Sequence, residues 1–140
     1  MKVLILNGPN LNLVGTREPE IYGSLTFEEL LPRWQKEFPE LTIHYFQSNH
    51  EGAIIDKIQA SNREYDAVII NAGGLTHTSV AIADAIRSVQ LDFVEVHLSN
   101  VYKRESYRHH SYLSPHVVGT IAGMGMEVYV LALTYLVRRS

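Results

Sequence analysis

Three stretches of the 140-residue sequence gather side chains able to bind polar ligands or move protons. They are Asn7-Gly8-Pro9-Asn10-Leu11-Asn12, Asn71-Ala72-Gly73-Gly74-Leu75-Thr76-His77-Thr78-Ser79 and Glu95-Val96-His97-Leu98-Ser99-Asn100. Amides, hydroxyls and imidazoles dominate them, groups that hydrogen-bond while carrying little charge. Asn, Gly and Ser also suit turns, so any one of these residues alone reads as turn chemistry as readily as function. The three stretches together point to a site. His97, between apolar Val96 and Leu98, is a candidate acid or base, and its other reading is a satisfied structural histidine. Gly73-Gly74 leads into a helical pattern whose first N–H groups suit a carboxylate or a set of hydroxyls. No Gly-Lys-Ser/Thr follows, so the stretch is not a P-loop.

Two polar connections add charge. Gly15 to Gly23 carries Arg17 and Tyr22, and a cation beside a phenol favours the phenolate. A long loop at the mouth of a site is commonly a lid. Arg104 and Arg108 are four apart, close enough for one helical face. They could hold an anionic or polyhydroxylated ligand, or pair with Glu105. Of the seven histidines, His44 and His50 flank an apolar run and are expected to face solvent. No His-Glu-x-x-His spacing or acidic cluster accompanies them, which leaves His77 with His97 as the one metal candidate. Gly123-Met124-Gly125 opens like a dinucleotide fingerprint, but Val128 stands at its third glycine position and no further strand–helix–strand unit remains.

Short apolar runs rich in β-branched residues must position these groups. They are Val3–Asn7, Leu41–Gln47, Ala67–Asn71, Phe93–His97 and Gly119–Gly123, several apolar throughout as strands covered on both faces would be. Helical patterns lie between them. Thr26 with Glu29, and Ser48 with Glu51, read as capping boxes. Val80, Ala83 and Ile86 recur at helical spacing, and Gly125 to Arg138 is apolar on most sides. The repeat predicts an open α/β sheet in one 140-residue domain. Strand starts at residues 3, 41, 67, 93 and 119 leave extra length only after the first strand, in residues 8–25. The fourth connection, 98–118, is polar and weakly periodic, so its helix must be short. Ligands of open α/β sheets bind beyond the carboxyl ends of the strands, where all three stretches fall.

Composition narrows the chemistry. Hydrophobic residues at 46% and charged residues at 19% are ordinary globular values, and a net charge of −3 gives no electrostatic case for nucleic acid or an anionic membrane. The absence of cysteine excludes disulfides, thiolate metal sites and a Cys nucleophile. The opening apolar run is too short for a signal sequence and residues 128–137 are too short to span a bilayer, so a cytoplasmic protein is expected.

Gly8-Pro9-Asn10-Leu11-Asn12-Leu13, Gly15, Arg17-Glu18-Pro19 and Tyr22-Gly23 resemble the opening signature of type II 3-dehydroquinate dehydratases. So do Asn71 with Gly73, Thr76-His77-Thr78-Ser79 and Asp84, then Glu95 to Asn100, and Arg104-Glu105 with Arg108-His109. The order is right and the resemblance spans nearly the whole chain. Tyr107 and Val128 depart from the family's common Phe and Gly, at positions to which no chemistry is assigned.

The resemblance implies a flavodoxin-like three-layer sandwich, with a five-stranded parallel sheet of strand order 2-1-3-4-5. It implies a lyase that converts 3-dehydroquinate to 3-dehydroshikimate by trans elimination through an enolate, without metal or organic cofactor. That step belongs to the shikimate pathway of aromatic amino acid biosynthesis, and quinate breakdown can use it too. By resemblance Tyr22 is the base, with Arg17 favouring its phenolate. Work near neutral pH then needs the phenol's pKa brought down from about 10 to roughly 7–8, or about 3–4 kcal/mol. His97 resembles the general acid, held by Glu95, and Asn10 positions a water against the enolate oxygen. Asn71, His77 and Arg108 match residues that hold substrate hydroxyls. Backbone N–H groups of Leu98 and Ser99, with the Ser99 hydroxyl, match a carboxylate site. Asp84 resembles a residue that reaches a neighbouring subunit's site in a homododecamer built from trimers.

Two other classes share the strand–helix order. A phosphoacceptor receiver domain needs an acidic cluster and an Asp at the ends of strands 1 and 3, where this chain has Asn7 and Asn71. A flavodoxin-type binding module would want a hydroxyl-rich phosphate loop after strand 1, where this chain has few hydroxyls and Pro9.

Overall fold

The computed structural model describes residues 1–16 and 24–140. Arg17 and Tyr22 therefore lie outside the described residues. Five strands form a parallel sheet of order β2-β1-β3-β4-β5, as the resemblance implied. They are β1 (Lys2–Asn7), β2 (Thr42–Gln47), β3 (Ala67–Asn71), β4 (Asp92–His97) and β5 (Gly119–Ala122). Each expected strand is present within two residues at either end. The main helices are α1 (Phe27–Glu37), α2 (Glu51–Ser61), α3 (Val80–Ser88) and α4 (Glu127–Arg139).

The alternation of side chains across the pleat divides the core in two. Val3, Ile5, Ile69, Val94 and Val96 point to one face, under Phe27 and Trp34 of α1 and Val128, Tyr129 and Leu133 of α4. Leu4, Leu6, Val68, Ile70 and Phe93 point to the other, under Ile54 and Ile58 of α2 and Ile82 and Ile86 of α3. The result is three layers, and it explains why the strands read as continuous apolar runs. α4 buries Val128, Tyr129, Ala132, Leu133 and Leu136 but leaves Leu131 and Tyr135 exposed.

Local capping follows the sequence in one helix and departs from it in another. Thr26 and Glu29 form the expected capping box at α1. At α2 the expected box does not form: the N-cap is His50, and the Ser48 hydroxyl accepts from the His50 N–H instead. Glu51 is drawn to α3, where its carboxylate accepts a 2.5 Å hydrogen bond from the Ser79 hydroxyl. Ser79 in turn caps α3 by accepting from the Ile82 N–H. His44 differs from expectation as well. It lies inside β2, half-buried, with Nδ1 2.9 Å from the Tyr65 hydroxyl.

Register brings the polar strand ends into line. Asn7 pairs with both Gln47 and Asn71, so three amide side chains stand side by side at the carboxyl edge. The turns beyond them pack backbone to backbone. A Cβ on Gly8 would fall 2.6 Å from the Ala72 carbonyl oxygen, and Gly73 adopts φ +59° against the Pro9 carbonyl. Glycine is needed at both places, one for space and one for conformation.

Candidate active site

A cavity of about 240 Å³ opens beyond the carboxyl ends of β1, β3 and β4. Its walls include Asn10, Asn71, His77, His97, Leu98, Ser99, Arg104 and Arg108, so most residues singled out in the sequence converge on one place. Asp84 does not. It sits on the exposed face of α3, 3.7 Å from Arg87.

Glu95 and His97 lie two apart on β4, so both side chains leave the same face of the sheet. His97 Nε2 is 2.5 Å from Glu95 Oε2. The other carboxylate oxygen, Oε1, accepts from the hydroxyls of Ser111 (3.1 Å) and Ser114 (2.9 Å). Burial by itself would raise the Glu95 carboxyl. The His97 hydrogen bond and charge, with the Ser114 and Ser111 hydroxyls, outweigh it and hold the group below its ordinary value. An ionised Glu95 accepts and does not donate. His97 must therefore carry its proton on Nε2, which leaves Nδ1 as its second ring position for proton transfer.

His77 closes the 3₁₀ turn Gly73–His77, its ring 6.1 Å from that of His97 and tilted by 24°. Its Nδ1 donates to the His110 carbonyl at 2.7 Å, which leaves Nε2 as the acceptor. Burial lowers the His77 pKa and the nearby His97 and Arg108 act the same way, against the His110 carbonyl and Glu95, which raise it. The net effect favours a neutral ring.

The amide side is built from a buried trio. The Tyr129 hydroxyl, at the start of α4, donates to Asn7 Oδ1 (2.7 Å) and accepts from Asn71 Nδ2 (3.1 Å). Asn71 Oδ1 accepts from the Gly73 N–H, which starts the turn that carries His77. Burial, first, with the nearby Tyr45, raises the Tyr129 hydroxyl far above the ordinary phenol range, so it acts as a neutral relay. Asn10 adopts the left-handed conformation at φ +72°, and its N–H is held by Asn49.

The fourth connection supplies the cations. It contains three short 3₁₀ turns, Val101–Lys103, Ser106–His109 and Ser114–His116, in keeping with its weak periodicity. Arg104 donates to the Ser99 hydroxyl at 3.3 Å. Arg108 pairs with Glu105 at 2.5 Å, as one of its two sequence readings expected, and also lines the cavity. The Gly123 and Gly125 N–H groups bind the carbonyls of His97, Ser99 and Leu98, giving the false dinucleotide stretch a structural role. Among the described residues no group of three or more His, Asp or Glu is placed to hold a metal ion. No described helix is long and apolar enough to cross a membrane. Sequence reasoning missed Ser111, Ser114, Asn49 and Tyr129. The Ser111-Tyr112-Leu113-Ser114 run offered the only signal, as polar residues in a connection too irregular to pack as a helix.

Residues 1–137 match the family described as Dehydroquinase class II. The 3-dehydroquinate dehydratase of Bordetella avium is 54% identical across 97% of this chain and 96% of its own length. The catabolic 3-dehydroquinase of Verticillium alfalfae is 48% identical across 98% of this chain and 93% of its own. The crystal structure of type II dehydroquinase from Butyrivibrio crossotus superposes with a TM-score of 0.91 at 45% identity, covering 97% of each chain.

Proposed function

The chain belongs to the class II dehydroquinase family, and on that premise we propose how it dehydrates 3-dehydroquinate to 3-dehydroshikimate. The observation that carries the reading is the buried Glu95–His97 pair, which presents a proton-bearing imidazole to the cavity. Dehydration needs a base to take a proton beside the ketone and an acid to protonate the departing hydroxyl.

Tyr22, as phenolate beside Arg17, takes the C2 proton, and the electron pair moves into an enolate. A water held by Asn10 hydrogen-bonds the enolate oxygen, where a fixed neutral dipole stabilises developing charge. The enolate then re-forms the ketone and expels the C1 hydroxyl, which receives the Nδ1 proton of the His97 imidazolium and leaves as water. Glu95 stabilises that imidazolium through Nε2. Asn71, the Nε2 of His77 and Arg108 hold the ring hydroxyls. The substrate carboxylate takes the N–H groups of Leu98 and Ser99 with the Ser99 hydroxyl, beside Arg104. No step calls for a metal or an organic cofactor.

Asp84, exposed on α3 and not among the residues lining its own chain's cavity, is the residue that would reach another subunit's site in the homododecamer of trimers we propose as the working form. The exposed Leu131 and Tyr135 on α4 support the same reading. We place the enzyme in the cytoplasm, in biosynthesis or in quinate breakdown. Light scattering that gave the 15.9 kDa monomer with full activity would reject the assembly.

Deuterium exchange at C2 tests the division of labour. His97→Ala should still exchange without dehydrating, because its base is intact. Tyr22→Phe should do neither, and normal turnover in that variant would reject Tyr22 as the base.

A further inference from the structure

We propose that Ser111 and Ser114 are positioning residues of the dehydration: together they aim two hydroxyl protons at one oxygen of Glu95 and so fix which nitrogen of His97 faces the substrate. The inference rests on the function proposed above and extends it to residues that touch no substrate.

The directions of the hydrogen bonds follow from what each hydroxyl already accepts. Ser111 Oγ accepts from the N–H groups of Leu113 and Ser114, at 3.0 and 3.1 Å. With its lone pairs so engaged, its single proton is left for Glu95 Oε1. Ser114 Oγ lies 3.3 Å from the Thr120 hydroxyl on β5 and 2.9 Å from Glu95 Oε1. An ionised carboxylate cannot donate, so Ser114 spends its proton on Glu95 and accepts from Thr120. Two donors therefore converge on Oε1, in a place where Glu95 is 1% exposed and water offers no substitute.

The consequence reaches His97. With Oε1 saturated, Oε2 is the oxygen left for the imidazole, 2.5 Å from Nε2. Held in this rotamer and ionised, Glu95 keeps the proton of His97 on Nε2 and leaves Nδ1 as the second ring position. The same segment fixes the second histidine, since His77 Nδ1 donates to the His110 carbonyl and the Tyr112 N–H donates to the Thr76 carbonyl. Residues 110–114 thus set the ring orientation of both imidazoles. The ionisable groups that interact with Glu95 are His97 on β4 and His77 on the turn after β3. Both are potential cations, so removing neutral serine donors leaves the charges in place and isolates the hydroxyls' effect.

Ser114→Ala and the double variant Ser111→Ala/Ser114→Ala test this, with Ser114→Thr as the variant that keeps the hydroxyl. A misaimed acid should lower kcat by about 10- to 100-fold in the double variant. KM should stay within about threefold, because the substrate contacts remain. The acid limb of the kcat profile should move to higher pH, since Glu95 then holds its proton more readily, and Ser114→Thr should restore both. A role confined to shaping the turn would lower stability and leave that limb unmoved. Nitrogen-15 NMR of labelled histidine gives a readout that needs no substrate. Neutral His97 should be the Nε2–H tautomer in the wild type and a mixture of tautomers in the double variant, where the carboxylate, freed of both serines, turns away from Nε2 for part of the time. Should the double variant fail to fold, Ser114→Ala alone decides, because the Ser111 turn is intact in it. An unchanged pH profile and tautomer in Ser114→Ala would overturn the proposal. A wild type inactive on 3-dehydroquinate would sink the proposed function, while the tautomer result would still judge the serines.

Discussion

Glu95 and His97 are joined through one carboxylate oxygen and one ring nitrogen, Oε2 to Nε2, while the opposite oxygen is committed to two serines. Charge at residue 95 therefore decides the tautomer of residue 97. In Glu95→Gln the serine hydroxyls retain the side-chain oxygen, and the amide NH₂ turns to His97. Nε2 must then accept, the proton moves to Nδ1, and the imidazolium loses its counter-charge. We expect kcat to fall by roughly 10²–10⁴-fold, the loss typical of disabling an acid–base group, with little change in melting temperature. Steady-state kinetics beside thermal unfolding of the same preparation checks it. Near-wild-type turnover would mean that the carboxylate charge is dispensable.

Tyr129→Phe removes one hydroxyl from between Asn7 and Asn71, both of them buried. Packing against Phe27 and Trp34 is kept, so the loss is that of two buried hydrogen bonds. Leaving buried amide groups unsatisfied costs about 1–3 kcal/mol, which urea unfolding should read as a lower midpoint at unchanged slope. KM should rise as well, because Asn71, which we propose holds a substrate hydroxyl, also starts the His77 turn. A variant as stable as the wild type would show that water replaces the hydroxyl.

Stability should fall on acidification, in two stages. His77 has a folded pKa below its ordinary 6.5, so the unfolded chain binds protons first and stability is lost as pH falls below about that value. Glu95 is likewise held below its ordinary 4.5, and its contribution is lost as pH falls below that value. Urea midpoints measured from pH 7 downward should decline through both windows. In His77→Gln the first decline should shrink while the second persists. A first stage of equal size in that variant would assign it to another group.

The sheet was legible because its signals are local. Runs such as Val3–Asn7 and Ala67–Asn71 are buried on both faces and show it in composition. Thr26 and Glu29 cap α1 within one turn. Ser48 and Glu51 carry the same local pattern and form no box, since the Ser79 hydroxyl, 28 residues away, offers Glu51 a competing bond. The same holds for the site. Asn10, Asn71, His77, His97 and Arg108 were visible at strand ends and in the polar connection. Their supports were not, because Tyr129 reaches Asn7 across 122 residues and Ser114 reaches Glu95 across 19. Such bonds depend on the closed fold, and a hydroxyl in sequence does not say which carboxylate it will meet. His44 shows the reverse error: a polar residue inside a strand reads as solvent-facing until Tyr65 covers it.

Dehydration by the purified chain itself is the most direct measurement. Incubation with 3-dehydroquinate should produce the conjugated enone of 3-dehydroshikimate, followed as a rise in ultraviolet absorbance. The rise should persist after exhaustive chelation, and His97→Ala should slow it by at least about 10²-fold. No rise at high enzyme concentration, or one that vanishes on chelation and returns with added Zn²⁺ or Mg²⁺, would contradict the proposed function.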